Sequence, residues 1–97
     1  MLVLALAVDL HINESRSLKA KRQVVKSIVE TSRQRFNVAA AEVDHIDLWQ
    51  RAGLGFAAIG SSVGHVERVI DAVERFVWSH PEVEVLETSR RWLDADE

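Results

Sequence analysis

Four side chains could do acid–base or metal chemistry: Asp9 and His11, and Asp44 and His45, with Asp47 close behind. A carboxylate beside an imidazole can shuttle a proton. A metal site, however, needs three or four ligands that converge. The two pairs fall at the ends of different predicted strands, and spacing alone does not bring them together. The chain has no cysteine, so it has no thiolate ligand or nucleophile. It contains neither a Gly-x-Ser-x-Gly elbow nor a His-Glu-x-x-His pair. His65 and His80 fall on a helix surface and at a helix end. The sequence makes no positive case for an enzyme, and no catalytic residue, metal ligand or cofactor is assigned.

Two glycine motifs invite a nucleotide reading and fail it. Gly53-Leu54-Gly55-Phe56-Ala57-Ala58 fits Gly-x-Gly-x-x-Ala. The dinucleotide fingerprint must follow a strand and open a helix; this string lies within a strand. Gly60-Ser61-Ser62-Val63-Gly64 lacks the lysine of a phosphate loop and reads as a helix cap. Trp49, followed by Gln50 and Arg51, is either an interaction anchor or a ring folded over the sheet edge.

Charge carries more information. Between Glu14 and Phe36 lie Arg16, Lys19, Lys21, Arg22, Lys26, Arg33 and Arg35, opposed by Glu14 and Glu30 alone. Seven against two leaves +5 on this segment. The whole chain carries −3, so the remainder carries −8. Lys19, Arg22, Lys26 and Arg33 recur at helical spacings. A basic stripe of this kind is the electrostatic footprint of a phosphate-contacting surface. The mild acidity of the chain as a whole therefore excludes only a uniformly basic nucleic-acid binder.

These residues must be positioned by elements that the hydropathy pattern locates. Residues 2 to 12 alternate as a strand, with Leu2, Leu4, Leu6, Val8, Leu10 and Ile12 on one face. Ser15 or Ser17 caps a helix running from Leu18 to about Arg35, with Leu18, Val25, Ile28, Val29, Ser32 and Phe36 inward. A second strand is expected from Val38 to Asp44 and a third from Gly53 to Gly60. The next helix buries Val63, Val66, Ile70, Val73 and Val77 and stops at His80-Pro81. A last strand spans Glu82 to Thr88, and an acidic tail from about residue 90 is expected to fray.

The order βαββαβ, with a helix in each crossover, predicts a ferredoxin-like α+β sandwich. Its four-stranded antiparallel sheet carries two helices on one face, with strands 1 and 3 central. At 97 residues the chain fits one domain, residues 1–97. The other sheet face lacks a cover, and its centre holds Ala5, Ala7, Gly55 and Ala57. Small residues there let another sheet approach closely, so this face, with Trp49, is a candidate homodimer interface. No aromatic residue of the central strands reaches this face, since Phe56 should point to the helices. Base stacking of the RNA-recognition-motif kind is therefore not expected.

The N-terminal run Met1 to Val8 is apolar, but it lacks a basic flank and a cleavage site and is too short to span a bilayer. A cytoplasmic location without a membrane partner is the expectation.

Ser17-Leu18-Lys19-Ala20-Lys21-Arg22-Gln23-Val24-Val25-Lys26-Ser27, Arg35-Phe36-Asn37-Val38, Ala41-Glu42-Val43-Asp44 and Leu48-Trp49-Gln50-Arg51-Ala52 together resemble the YlxP-like family. These are small bacterial proteins of unknown function. The resemblance covers essentially the whole chain, although Val38-Ala39-Ala40 stands where the family often has Val-Ser-Val. It implies a ferredoxin-like fold and a setting beside translation genes, and it implies no catalytic residue. The combined expectation is a non-enzymatic binding module that contacts ribosomal or structured RNA through Arg16, Lys19, Lys21, Arg22, Lys26, Arg33 and Arg35. The alternative is a homodimeric interaction module built on the open sheet face.

Overall fold

The strict alternation of strand β1 (Leu2–Ile12) organises the molecule. In the computed structural model, which describes residues 1–94, Leu4, Leu6, Val8, Leu10 and Ile12 are all buried. Val3, Ala5, Ala7, Asp9 and His11 point to the opposite side, as the two-residue period of a strand requires. Helix α1 (Leu18–Phe36) starts at Ser17, whose hydroxyl accepts the Ala20 N–H at 3.0 Å. It ends at Asn37, which takes the left-handed conformation that asparagine tolerates at a helix end (φ 56°). Strands β2 (Ala39–Asp44) and β3 (Arg51–Gly60) follow, then helix α2 (Val63–Trp78), capped by Ser62. Strand β4 (Val83–Asp94) completes the sheet.

The sheet order is β2-β3-β1-β4, with every neighbouring pair antiparallel. This is the ferredoxin-like fold, with β1 and β3 central. The leucine face of β1 and Ala52, Leu54, Phe56 and Ala58 of β3 pack beneath Val25, Ile28 and Val29 of α1 and Val66, Ile70, Val73 and Val77 of α2. Truncating one of these large side chains to alanine costs about 2–5 kcal/mol. Between the helices, Phe36 and Phe76 meet at 5.8 Å in a tilted pair, and the Arg35 guanidinium lies over both rings.

Several strand boundaries differ from the sequence expectation, and β4 begins at Val83 rather than Glu82. Strand β2 begins at Ala39 rather than Val38, and β3 begins at Arg51, ahead of Gly53. The largest difference is β4, which continues past Thr88 to Asp94 instead of giving way to a frayed tail near residue 90. Its second half pairs with β1 from Ala7↔Ser89 to Leu2↔Asp94. Arg90 also fastens it to α2, lying 2.9 Å from both Asp71 and Glu74. Burial pulls the Arg90 pKa down, but the bonds to Glu74 and Asp71 outweigh it and hold the guanidinium above its ordinary value. The remainder of the expected tail, residues 95–97, lies outside the described residues.

Candidate functional site

Helix α1 sorts its cations by position around the axis. At about 100° per residue, Lys19, Arg22, Lys26 and Arg33 fall within an arc of roughly 60°, about 100° from the centre of the buried stripe. Lys19, Arg22 and Lys26 are exposed, as is Arg16 just before the helix. None of these four makes an ion pair among the described residues. Arg33, on the same arc, donates to the Ala40 carbonyl through Nε (3.1 Å) and Nη2 (2.6 Å). It thereby fixes the arc over the β2 edge and occupies one carbonyl of an edge strand that could otherwise recruit another strand. Arg35 lies on the other flank, against the phenylalanine pair.

Lys21 corrects the sequence reading. It was expected among the nucleic-acid contacts, yet it is 0% exposed. Its ammonium lies 2.7 Å from the Glu42 carboxylate and donates to the carbonyls of His45 (2.7 Å) and Ile46 (3.1 Å). The Glu42 contact is an ion pair without aligned hydrogen-bond geometry. Lys21 therefore belongs to the scaffold: it clamps the β2–β3 loop onto α1. Gln50 adds a second tie, donating to the Ser15 carbonyl at 3.1 Å.

The open sheet face forms as expected. Ala5 pairs with Ala57, and Ala7 with Gly55. With Ala39 and Ala41 of β2 they floor a concavity of about 560 Å³, and Arg91 and Ser89 of β4 line its far side. One row beyond the concavity, on either side of Val3, stand two apolar side chains that the sequence does not single out, Ile59 (63% exposed) and Leu93 (47% exposed). Trp49 stands apart, in the β2–β3 loop and outside this concavity, and is 54% exposed as a residue.

At one end of the face lies a polar cluster. Asp9, Asp44 and His45 do converge, joined by Arg51. The Arg51 Nη2 donates to Asp9 at 2.6 Å and lies 3.4 Å from the His45 Nε2. That ring nitrogen is 3.8 Å from the Asp9 carboxylate and 3.9 Å from that of Asp44. Glu87 lines the same recess of about 210 Å³. His11 is not part of it; its ring bonds Asn13 instead.

Local backbone irregularity builds this convergence. Register shifts fall at Glu42/Asp44 in β2 and opposite Asp9/Leu10 in β4, re-aiming the side chains on either side. His45 sits at φ 57°, a conformation that few non-glycine residues adopt. Gly53 is required where Asp44 crosses it, because an added Cβ would lie 2.7 Å from the Asp44 Cβ. No hydroxyl bonds His45, and no metal-binding group of three acidic or imidazole side chains occurs among the described residues. The arrangement is a charge network that can recognise a polar group at the end of an apolar face. The sequence singles out Asp9, Asp44 and His45, but strands so far apart in the chain give no pattern from which to foresee that they converge or that Arg51 joins them.

Comparison with known proteins bears on the whole of this surface. Residues 3–90 match the model of a family described as a protein of unknown function, DUF503. The chain belongs to this family. It is also 38% identical over 82 residues to the uncharacterised protein YlxP of Bacillus subtilis (strain 168), covering 84% of this chain and 89% of that protein. The family match spans α1 and the whole of β2 and β3, so the basic arc and the floor of the open face lie inside it. No helix among the described residues is long and apolar enough to cross a membrane.

Proposed function

We propose that this protein is a cytoplasmic, non-catalytic module that contacts the phosphates of structured or ribosomal RNA through α1. One observation carries the reading: Arg16, Lys19, Arg22 and Lys26 are exposed and lack ion-pair partners among the described residues, and the three on the helix share one arc. Cations left unpaired on one surface are those whose counterions an RNA backbone can displace. RNA is favoured over other polyanions by the translation setting that the family resemblance implies. Phe56 is buried and the open face carries no aromatic ring on β1 or β3, which favours backbone contact over base stacking. The test is retention of RNA by the purified protein at low salt. Retention should vanish in the triple variant Lys19→Glu/Arg22→Glu/Lys26→Glu, and a wild-type protein that retains none defeats the reading.

A second reading, compatible with the first, is favoured by the open face. The Ala5–Ala57 and Ala7–Gly55 pairs, with Ile59 and Leu93 exposed one row beyond them, suit a second copy of the sheet. The helices cover the other side of the sheet, so such a dimer turns both α1 helices outward and offers RNA two basic arcs.

A further inference from the structure

Resting on the homodimer reading, we infer that the two copies meet about a two-fold axis in the sheet plane, perpendicular to the strands. In this arrangement Arg91 of each copy completes the carboxylate cluster of the other.

The charge layout of the face selects this axis. On β4, Glu87 lies beside Asp9 and Arg91 beside Ala5, with Ser89 beside Ala7 between them. Four residues of strand separate Glu87 from Arg91 by about 13 Å, too far for them to pair within one chain. Glu87 shares its recess with Asp9, Asp44 and His45, so that end holds three carboxylates against the single guanidinium of Arg51. Arg91 sits at the other end on the wall of the apolar concavity, without an ion-pair partner among the described residues. An unpartnered cation and an excess of carboxylate thus flank a floor of alanine and glycine.

Face-to-face packing of two identical sheets allows two principal in-plane axes. An axis along the strands sets β4 of one copy over β2 of the other, and then Arg91 faces Ala39 and Glu87 faces Asp44. Arg91 then loses water against an alanine, and two carboxylates are set face to face, both of which are unfavourable. An axis across the strands, through the row Ala41–Gly55–Ala7–Ser89, sets β4 over β4 in opposite directions. Arg91 then faces Glu87 of the second copy, twice by symmetry. Ala39 and Ala5 face Asp44 and Asp9 of the second copy, small side chains that leave room for the carboxylate cluster Arg91 approaches.

The test uses two charge reversals, Glu87→Arg and Arg91→Glu, with molar mass read by light scattering or sedimentation. Both residues are exposed and outside the core, and circular dichroism checks that each variant folds. The wild type is expected to be a dimer, and each single variant should raise the dimer dissociation constant at least tenfold. A one-to-one mixture of the two variants should recover the dimer, because each cross-copy contact is then again one arginine against one glutamate. A wild-type monomer overturns the homodimer reading and this inference with it. A wild-type dimer whose single variants stay dimeric, or whose mixture fails to recover, overturns the axis alone.

Discussion

The Lys21 ammonium and the Glu42 carboxylate lie 2.7 Å apart beneath the β2–β3 loop, joining the first turn of α1 to the edge strand. The same ammonium bonds the two carbonyls that open the loop, so one buried cation serves three acceptors. The loop that places His45 and Arg51 thus depends on a side chain of the opposite layer. Lys21→Met should destabilise the protein by about 3–5 kcal/mol, because it strands a mostly buried carboxylate and two carbonyls. Thermal unfolding checks the loss. Accelerated amide exchange across residues 45–50 in the variant checks its location, and a stability change below 1 kcal/mol contradicts the clamp.

Close approach at Gly53 gives a second expectation. With 2.7 Å between a new Cβ and the Asp44 Cβ, Gly53→Ala must push the bulged end of β2 away. Overpacking of this kind costs about 1–3 kcal/mol. Chemical shifts of His45 and Asp9 should move with it, since Asp44 is one wall of their recess. Gly55→Ala, whose Cβ meets only the Val43 methyls at 3.3 and 3.6 Å, should be the milder change of the pair.

Ser32 is buried in α1, and its hydroxyl has no hydrogen-bond partner. Ser32→Ala should therefore stabilise the protein, by about 1 kcal/mol on the scale of an unpaired buried hydroxyl. Denaturant unfolding with an unchanged slope against concentration reads this directly. A destabilised variant means that the hydroxyl is bonded.

On the open face, Ala7→Arg places a long cation at the centre of the alanine and glycine floor. It should convert a dimer to a monomer without lowering the unfolding midpoint measured at low concentration. An unchanged mass at high concentration removes this face as an interface.

Particular residues show what could be read from the sequence and what could not. The alternation in β1 separated a leucine face from an alanine face, so the fold and the open surface were both legible. Lys21 was not. Lysine carries no sequence mark of burial, and its partners Glu42, His45 and Ile46 lie more than twenty residues away. Strand β4 was read short because the alternation breaks after Val85 at the register shift. Beyond the break, its helix-side positions are Thr88, Arg90 and Trp92 rather than aliphatic residues. Arg90 is tolerated there because Asp71 and Glu74 of α2 meet it. Asp9, Asp44 and His45 stand out in the sequence as candidate groups, but their convergence with Arg51 is not legible there, because it depends on two register shifts and a left-handed residue, none of which has a hydropathy signature.

If the basic arc on α1 contacts RNA phosphates, binding must weaken steeply with salt. Affinity for a structured RNA should be measured from low to physiological salt, for the wild type and for Lys26→Ala. With about four phosphates engaged, the wild-type plot of log affinity against log salt should fall with a slope of roughly −3 to −4, and the variant's slope should be shallower by about one. Equal slopes for the two proteins, or an affinity indifferent to salt, would mean that the α1 arc does not contact RNA phosphates.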